Sequence, residues 1–165
     1  MKIEAKSRLE NILGAYDDKV AEEERKVAAK RAADLAFPER FAKLRAETIR
    51  PAIQEFVEAL CGHGHEASAR EQEESASTTA GVSSAAIALR MTPKSFIRKP
   101  TETNRSFIEI TFSANRNERK VTVSSTNTLV NSSGGLGKRG EYEIEAMTAD
   151  VVAEHVLRTL QEALQ

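Results

Sequence analysis

The chain has no tryptophan, one cysteine (Cys61), and only two tyrosines and six phenylalanines among its 165 residues. A single cysteine excludes an intramolecular disulfide framework and points to a reducing compartment. No run approaches the roughly 18 apolar residues that a membrane-crossing helix needs, and the opening MKIEAKSRLE lacks the apolar stretch of a signal peptide. The expectation is a soluble, cytoplasmic protein with no membrane partner. A net charge of −1 excludes a globally basic nucleic-acid binder, though not a local patch. The nucleophile elbow, His-Glu-x-x-His and paired Cys-x-x-Cys motifs are also missing. No catalytic residue can therefore be named, and a non-enzyme is expected.

What is present begins with a polar, helix-favouring stretch over residues 3–36, dominated by Glu, Lys, Arg and Ala. Ile12, Leu13, Tyr16, Val20, Val27 and Leu35 form a sparse apolar seam in it. Leu13, Val20 and Val27 stand seven apart, as in a heptad, but Tyr16 is followed at the same spacing by Glu23 and Lys30. Such a helix would be about 50 Å long, more than a small domain covers. The expectation is a helix that packs on a second copy or on a partner, as a coiled-coil or helical-hairpin arm. Leu13, Tyr16, Val20, Val27 and Leu35 are its candidate interaction residues.

Phe37-Pro38-Glu39 is expected to break that helix, because the residue before proline is driven out of the α region. A second helix over 39–60 carries a wider stripe of Phe41, Leu44, Ile49, Ile53, Phe56, Val57 and Leu60, with Pro51 as a kink or restart. Gly62 is the expected stop. The Cys61-x-His63-x-His65 cluster has zinc-ligand chemistry, but its spacing fits no common zinc motif and a fourth ligand is missing, so no metal is expected. His155 reads as a solvent-facing or core-edge residue of the last helix. Residues 66–84 are small, polar and acidic, and read as a flexible linker within the segment 62–84.

The clearest signal is a β-hairpin over residues 105–125. Ile108, Ile110 and Phe112 alternate with Glu109, Thr111 and Ser113, and Val121 and Val123 repeat the pattern. Ala114–Glu118 supplies the turn, which sets Phe112 opposite Val121 and Ile110 opposite Val123. Ala85–Met91 is a strand with Ile87, Leu89 and Met91 on one face. Phe96 and Ile97 lie in a loop bracketed by Thr92-Pro93 and Lys99-Pro100, either tucked under the sheet or forming a contact point. Thr126–Asn131 adds a short strand through Leu129 and Val130, and Glu141–Met147 is the last strand. Thr148 caps a final amphipathic helix that should lie across the sheet.

The fold expected is α+β. An N-terminal helical arm (1–61) is followed by a polar linker (62–84) and by a domain (85–165) with a mostly antiparallel sheet of four or five strands, packed by the C-terminal helix. The function expected is a non-catalytic assembly protein that self-associates through the arm and presents the α+β domain to another protein. Two alternatives stand beside it. Residues 90–120 hold eight Lys/Arg against three Asp/Glu. If Lys94, Arg98 and Lys99 lie near Arg116 and Arg119, they form a phosphate-binding patch in which Phe96 and Phe107 stack bases. The other alternative is a small-ligand binder or enzyme at the Gly-rich loop 131–140. That loop departs from a Walker A sequence at Ser132 and Arg139 and leads into a strand rather than a helix, so no nucleotide cofactor is expected.

Overall fold

A computed structural model describes residues 3–77, 81–97, 106–129 and 137–165. Its element order is helical, then β, then helical, an α+β fold. Helix α1 spans Ile3–Leu44, a π-helical turn spans Arg45–Ile49, and α2 spans Arg50–Gly62. A five-stranded sheet follows, built from β1 (Glu66–Gln72), β4 (Ala86–Thr92), β5 (Ile108–Asn115), β6 (Lys120–Asn127) and β7 (Gly137–Tyr142), in that spatial order and antiparallel throughout. Between β1 and β4 lies a two-stranded ribbon of β2 (Ser75–Ser77) and β3 (Gly81–Ser83). Helix α3 (Ala149–Leu164) ends the chain. Residues 1–36 and 37–165 form two separate compact units.

The helix boundaries differ from expectation. No break occurs at Pro38, which sits inside α1. Proline in a helix interior costs about 3 kcal/mol. Phe37 and Phe41, on either side, are fully buried. Each such burial is worth about 1.5–3 kcal/mol, so together they match or exceed that cost. The irregularity comes later, ahead of Pro51. Arg50 N–H donates to Arg45 C=O, one residue beyond the α pattern, and Pro51 follows in the first turn of α2. The widened turn falls where proline has no N–H to give. Helical backbone thus runs from residue 3 to 62 without the loop a helical hairpin requires. Helix α2 passes through Gly62, and the left-handed residue is Gly64, at φ +84°, where His65 N–H closes back onto Leu60 C=O.

Residues 66–72 are not a linker. They form edge strand β1, which pairs with β4 along its full length. Stepping the Gln72↔Ala86 register onward by three residues on each strand lands on Ser75↔Ser83, so β1–β2 and β3–β4 are one hairpin in one register. Composition hid this, because β1 is exposed at all but one position and needs no apolar alternation. Ion pairs hold it instead. Arg50 clamps the Glu71 carboxylate with Nε and Nη2 at 2.5 and 2.7 Å, and Arg45 donates to Gln72 C=O (3.2 Å) and to Glu73 (2.5 Å).

The central hairpin keeps its expected faces. Ile108, Ile110, Phe112, Val121 and Val123 are all buried. Its register differs by two residues: Phe112 pairs with Val123 and Ile110 with Ser125. The strands extend to Asn115↔Lys120, and the turn is Arg116–Arg119, with Arg119 at φ 55° and Asn115 Oδ1 accepting from Glu118 N–H. A shift of two residues preserves the faces, so the apolar pattern alone could not reveal it. The last strand is Gly137–Tyr142 rather than 141–147, and Ile144–Ala146 forms a 3₁₀ turn.

The core lies on one face of the sheet, where Ile87, Leu89, Ile110, Phe112, Val121 and Val123 meet Phe37, Phe41, Ile49 and Ile53 from one helical side and Val152 and Val156 from α3. Residues 37–61 therefore belong with the sheet rather than with an arm. Thr148 caps α3 as expected, accepting from Val151 N–H.

Candidate functional site

Unit 1 presents the most unusual surface. Leu9, Ile12, Leu13, Tyr16, Val20, Val27 and Leu35 are all exposed, from 38% at Val20 to 75% at Leu35. In the rest of the described chain only Ile97, Leu157 and Leu164 are large, apolar and exposed. A shallow groove of about 600 Å³ follows the helix between Val20 and Val27, with Glu23, Glu24 and Arg31 along it. Leu9 extends the seam expected from Leu13, Tyr16, Val20 and Val27. Its signal was in the sequence, since Leu9 stands seven residues before Tyr16 and four before Leu13. Lys26 is tied to its own helix by ion pairs with Glu22 (2.9 Å) and Glu23 (3.3 Å).

The basic segment does not gather into one patch among the described residues. Lys94 follows the end of β4 that pairs with Ile108, whereas Arg116 and Arg119 sit in the turn beyond the far end of β5. Strand β5 has eight residues, which separates the two groups by about 25 Å at roughly 3.3 Å per residue. Arg98 and Lys99 lie outside the described residues. Arg116 is answered by Glu74 at 2.7 Å, and Lys120 approaches Glu143 at 3.8 Å. Arg90 pairs with Glu109 at 2.7 Å and lies over the Phe107 ring, 3.8 Å from its centroid. One face of Phe107 is thus already taken by a cation. Phe96 is half-buried beside Met91, Ile108 and Leu129, whereas Ile97 is exposed.

A cleft of about 620 Å³ in unit 2 is lined by Phe37 and Phe41 from the helix and by Ser113, Asn115, Arg116 and Thr122 from the sheet and its turn. Neither a metal-ligating cluster nor a His–nucleophile pair lines it; among the described residues no group of three His, Cys, Asp or Glu could hold a metal. His65 Nδ1 accepts from Lys94 N–H, and Cys61 Sγ lies 3.7 Å from Ala67 C=O, so these candidate ligands serve the backbone.

Of the 131–140 loop, Gly137–Gly140 lies in β7 and the preceding residues fall outside the described set. Gly135-x-Gly137-x-x-Gly140 has the spacing of a dinucleotide fingerprint. That chemistry needs a helix N-terminus over the phosphates. Here the glycines lead into a strand, and Gly140 serves packing: a Cβ there would fall 2.8 Å from the Tyr142 ring. The register slips between Val123 and Ser124, which leaves Arg139 as a bulge residue. Its side chain donates to Ser125 Oγ (2.7 Å) and pairs with Glu162 of α3 (2.5 Å). Beside it, Tyr142 Oη lies 2.6 Å from Nε2 of His155, with the rings edge-to-face. His155 is buried, not solvent-facing, and burial holds its pKa below the ordinary value. This cluster joins the last strand to α3, and no local pattern in the sequence marks it because it depends on the register slip between β6 and β7.

Both sheet edges are blunted. Strand β1 carries Glu66, Arg70 and Glu71, and β7 carries the bulge and a Lys138–Glu141 ion pair. No described helix is long and apolar enough to cross a membrane. Compared with protein-family models, curated proteins and solved structures, the chain matches none.

Proposed function

We propose that this chain is a non-catalytic assembly protein that self-associates through α1 and offers its α+β unit to a macromolecular partner. The observation that carries this reading is the exposed seam: six apolar side chains from Leu9 to Val27, each at least 38% exposed. An isolated helix draws most of its stability from packing an apolar face, so a helix of this length with an unburied seam calls for a partner. Burying a Leu or Val side chain contributes about 1.5–3 kcal/mol. Five such side chains from each of two copies give a gross gain of the same order as the roughly 4–15 kcal/mol that association costs. The expected assembly is therefore dependent on concentration. Two features support the helix as the route. The sheet edges are guarded against strand addition, and the core of residues 37–165 is built from its own side chains.

Sedimentation equilibrium of the whole chain tests this. The wild type should show a multiple of the 18.1 kDa chain mass, and Leu13→Glu/Val20→Glu should shift it to one chain mass with the sheet's circular dichroism intact. Equal masses for the two proteins would refute the reading.

A further inference from the structure

We infer that the seam of α1 is covered by a second copy of this chain lying parallel and in register, an inference that rests on the self-association reading above. With Leu13, Val20 and Val27 as one heptad row, Leu9, Tyr16, Glu23 and Lys30 form the companion row. The residues flanking this seam are sorted by charge. One edge carries Glu10, Asp17 and Glu24 and ends in Arg31. The other carries Ile12, Lys19 and Lys26. In a parallel pair the two edges face each other, whereas in an antiparallel pair each edge faces its own copy.

The consequences can be followed pair by pair. Parallel and in register, five of the seven layers from Leu9 to Lys30 are apolar, and Lys19 faces the second copy's Glu24 on both sides of the seam. The unfavourable meetings are Lys26 with Arg31, Glu23 with Glu23 and, in the last layer, Lys30 with Lys30. The first two are softened by Lys26, whose charge already answers Glu22 and Glu23 of its own helix.

The antiparallel arrangement that keeps apolar layers together sets Val20 on Tyr16 and Val27 on Leu9. It then places Asp17 on Asp17, Lys19 on Lys19, and Glu10 on Glu24 twice, with no opposite-charge pair at either edge. Sliding one helix by a heptad pairs Glu10 with Arg31 but leaves Asp17 on Glu24 and Lys19 on Lys26, and it sets Val20 on Glu23 and Leu13 on Lys30, which buries charge against the seam. Surface ion pairs add little affinity, but they choose between alternatives of similar apolar burial.

Single cysteines in a Cys61→Ser background test the orientation. Leu13→Cys, Val20→Cys and Val27→Cys are made separately in the full chain and oxidised with dilute copper–phenanthroline, and the Cys61→Ser parent is weighed by sedimentation. Facing residues are identical at every layer of a parallel in-register pair, so all three variants should form disulfide-linked dimers, each in more than half of the chains. Cross-linking at no more than one position, with a dimeric parent, would overturn the parallel arrangement and leave self-association standing. A monomeric parent would overturn both. As a second readout, Lys19→Glu should weaken the dimer at low salt about three- to tenfold, and Lys19→Glu/Glu24→Lys should restore it. If the double variant stays as weak as the single one, Lys19 does not face Glu24 and the inference fails.

Discussion

Residues 1–36 and 37–165 are built to different standards of completeness. In the second unit, helix, sheet and helix close over one another, and twelve side chains among its described residues are almost wholly inaccessible, Phe41, Phe112, Val121 and Val156 among them. In the first, every apolar residue larger than alanine from Leu9 to Leu35 is exposed. Both contain helix with good intrinsic propensity, and one helix, α1, contributes to both. What separates them is apolar density. From Phe37 onward an aromatic or branched aliphatic residue recurs every three to five positions (Phe37, Phe41, Leu44, Ile49, Ile53), whereas before it the seam thins to about one per heptad after Val20. A dense stripe finds a sheet to cover, and a thin one is left exposed.

The comparison can be broken most directly by placing a charge in each unit. Ile110→Asp buries a carboxylate in the sheet core and should cost more than about 4 kcal/mol, enough to unfold residues 37–165. Val20→Asp should leave the thermal transition of that unit unchanged. Loss of the transition in Val20→Asp, or its survival in Ile110→Asp, would erase the distinction.

A milder version uses two positions of one helix. Phe41→Ala should destabilise unit 2 by about 3–5 kcal/mol, because its side chain is fully buried. Leu35→Ala, six residues earlier and three-quarters exposed, should change urea stability by less than about 0.5 kcal/mol.

Next comes the buried histidine. Desolvation holds His155 below its ordinary pKa of 6.5, aided by Arg158 and Arg139 and opposed by Glu154. When pH falls below about 6.5 the unfolded chain takes up a proton that the native chain refuses, so stability is full above that pH and declines below it. Tyr142→Phe removes the partner of Nε2 and should cost about 1–3 kcal/mol at pH 8. His155→Phe should flatten the decline between pH 6.5 and 5. An unchanged pH profile in that variant would place the titration elsewhere.

The smallest effect is expected at β1. The Arg50 guanidinium holds the Glu71 carboxyl below the ordinary carboxylate pKa, with Arg45 contributing. A depressed acid pKa gives stability that is present at neutral pH and lost as pH falls through the folded value. Glu71→Gln should therefore lower stability slightly at pH 7 and soften the acid limb below pH 4.5. Faster amide exchange confined to residues 66–72 would localise the loss.

How much of this was legible in the sequence follows from what each element relies on. The β5–β6 hairpin and α3 announce themselves because each buries one face, and burial writes a period into the residues: Ile108, Ile110 and Phe112 alternate, while Val152 and Val156 recur at helical spacing. Strand β1 was invisible because charge pairs and a backbone ladder hold it, and Glu-Ala-Ser-Ala-Arg-Glu-Gln has no such period. Pro38 misled because local propensity was outweighed by Phe37 and Phe41, whose burial depends on strands far along the chain. The Arg139, Tyr142 and His155 cluster depends on a register slip between β6 and β7 that no local pattern records. The candidate interaction residues Leu13, Tyr16, Val20, Val27 and Leu35 are all exposed.

Amide hydrogen exchange of the wild-type chain across a hundredfold range of protein concentration tests the central claim, that unit 1 is completed by association while unit 2 is complete alone. Protection over residues 5–36 should rise with concentration, while protection in β4, β5 and β6 should not change. Protection over residues 5–36 that is the same at every concentration would contradict the account, because the seam would then gain nothing from a second copy.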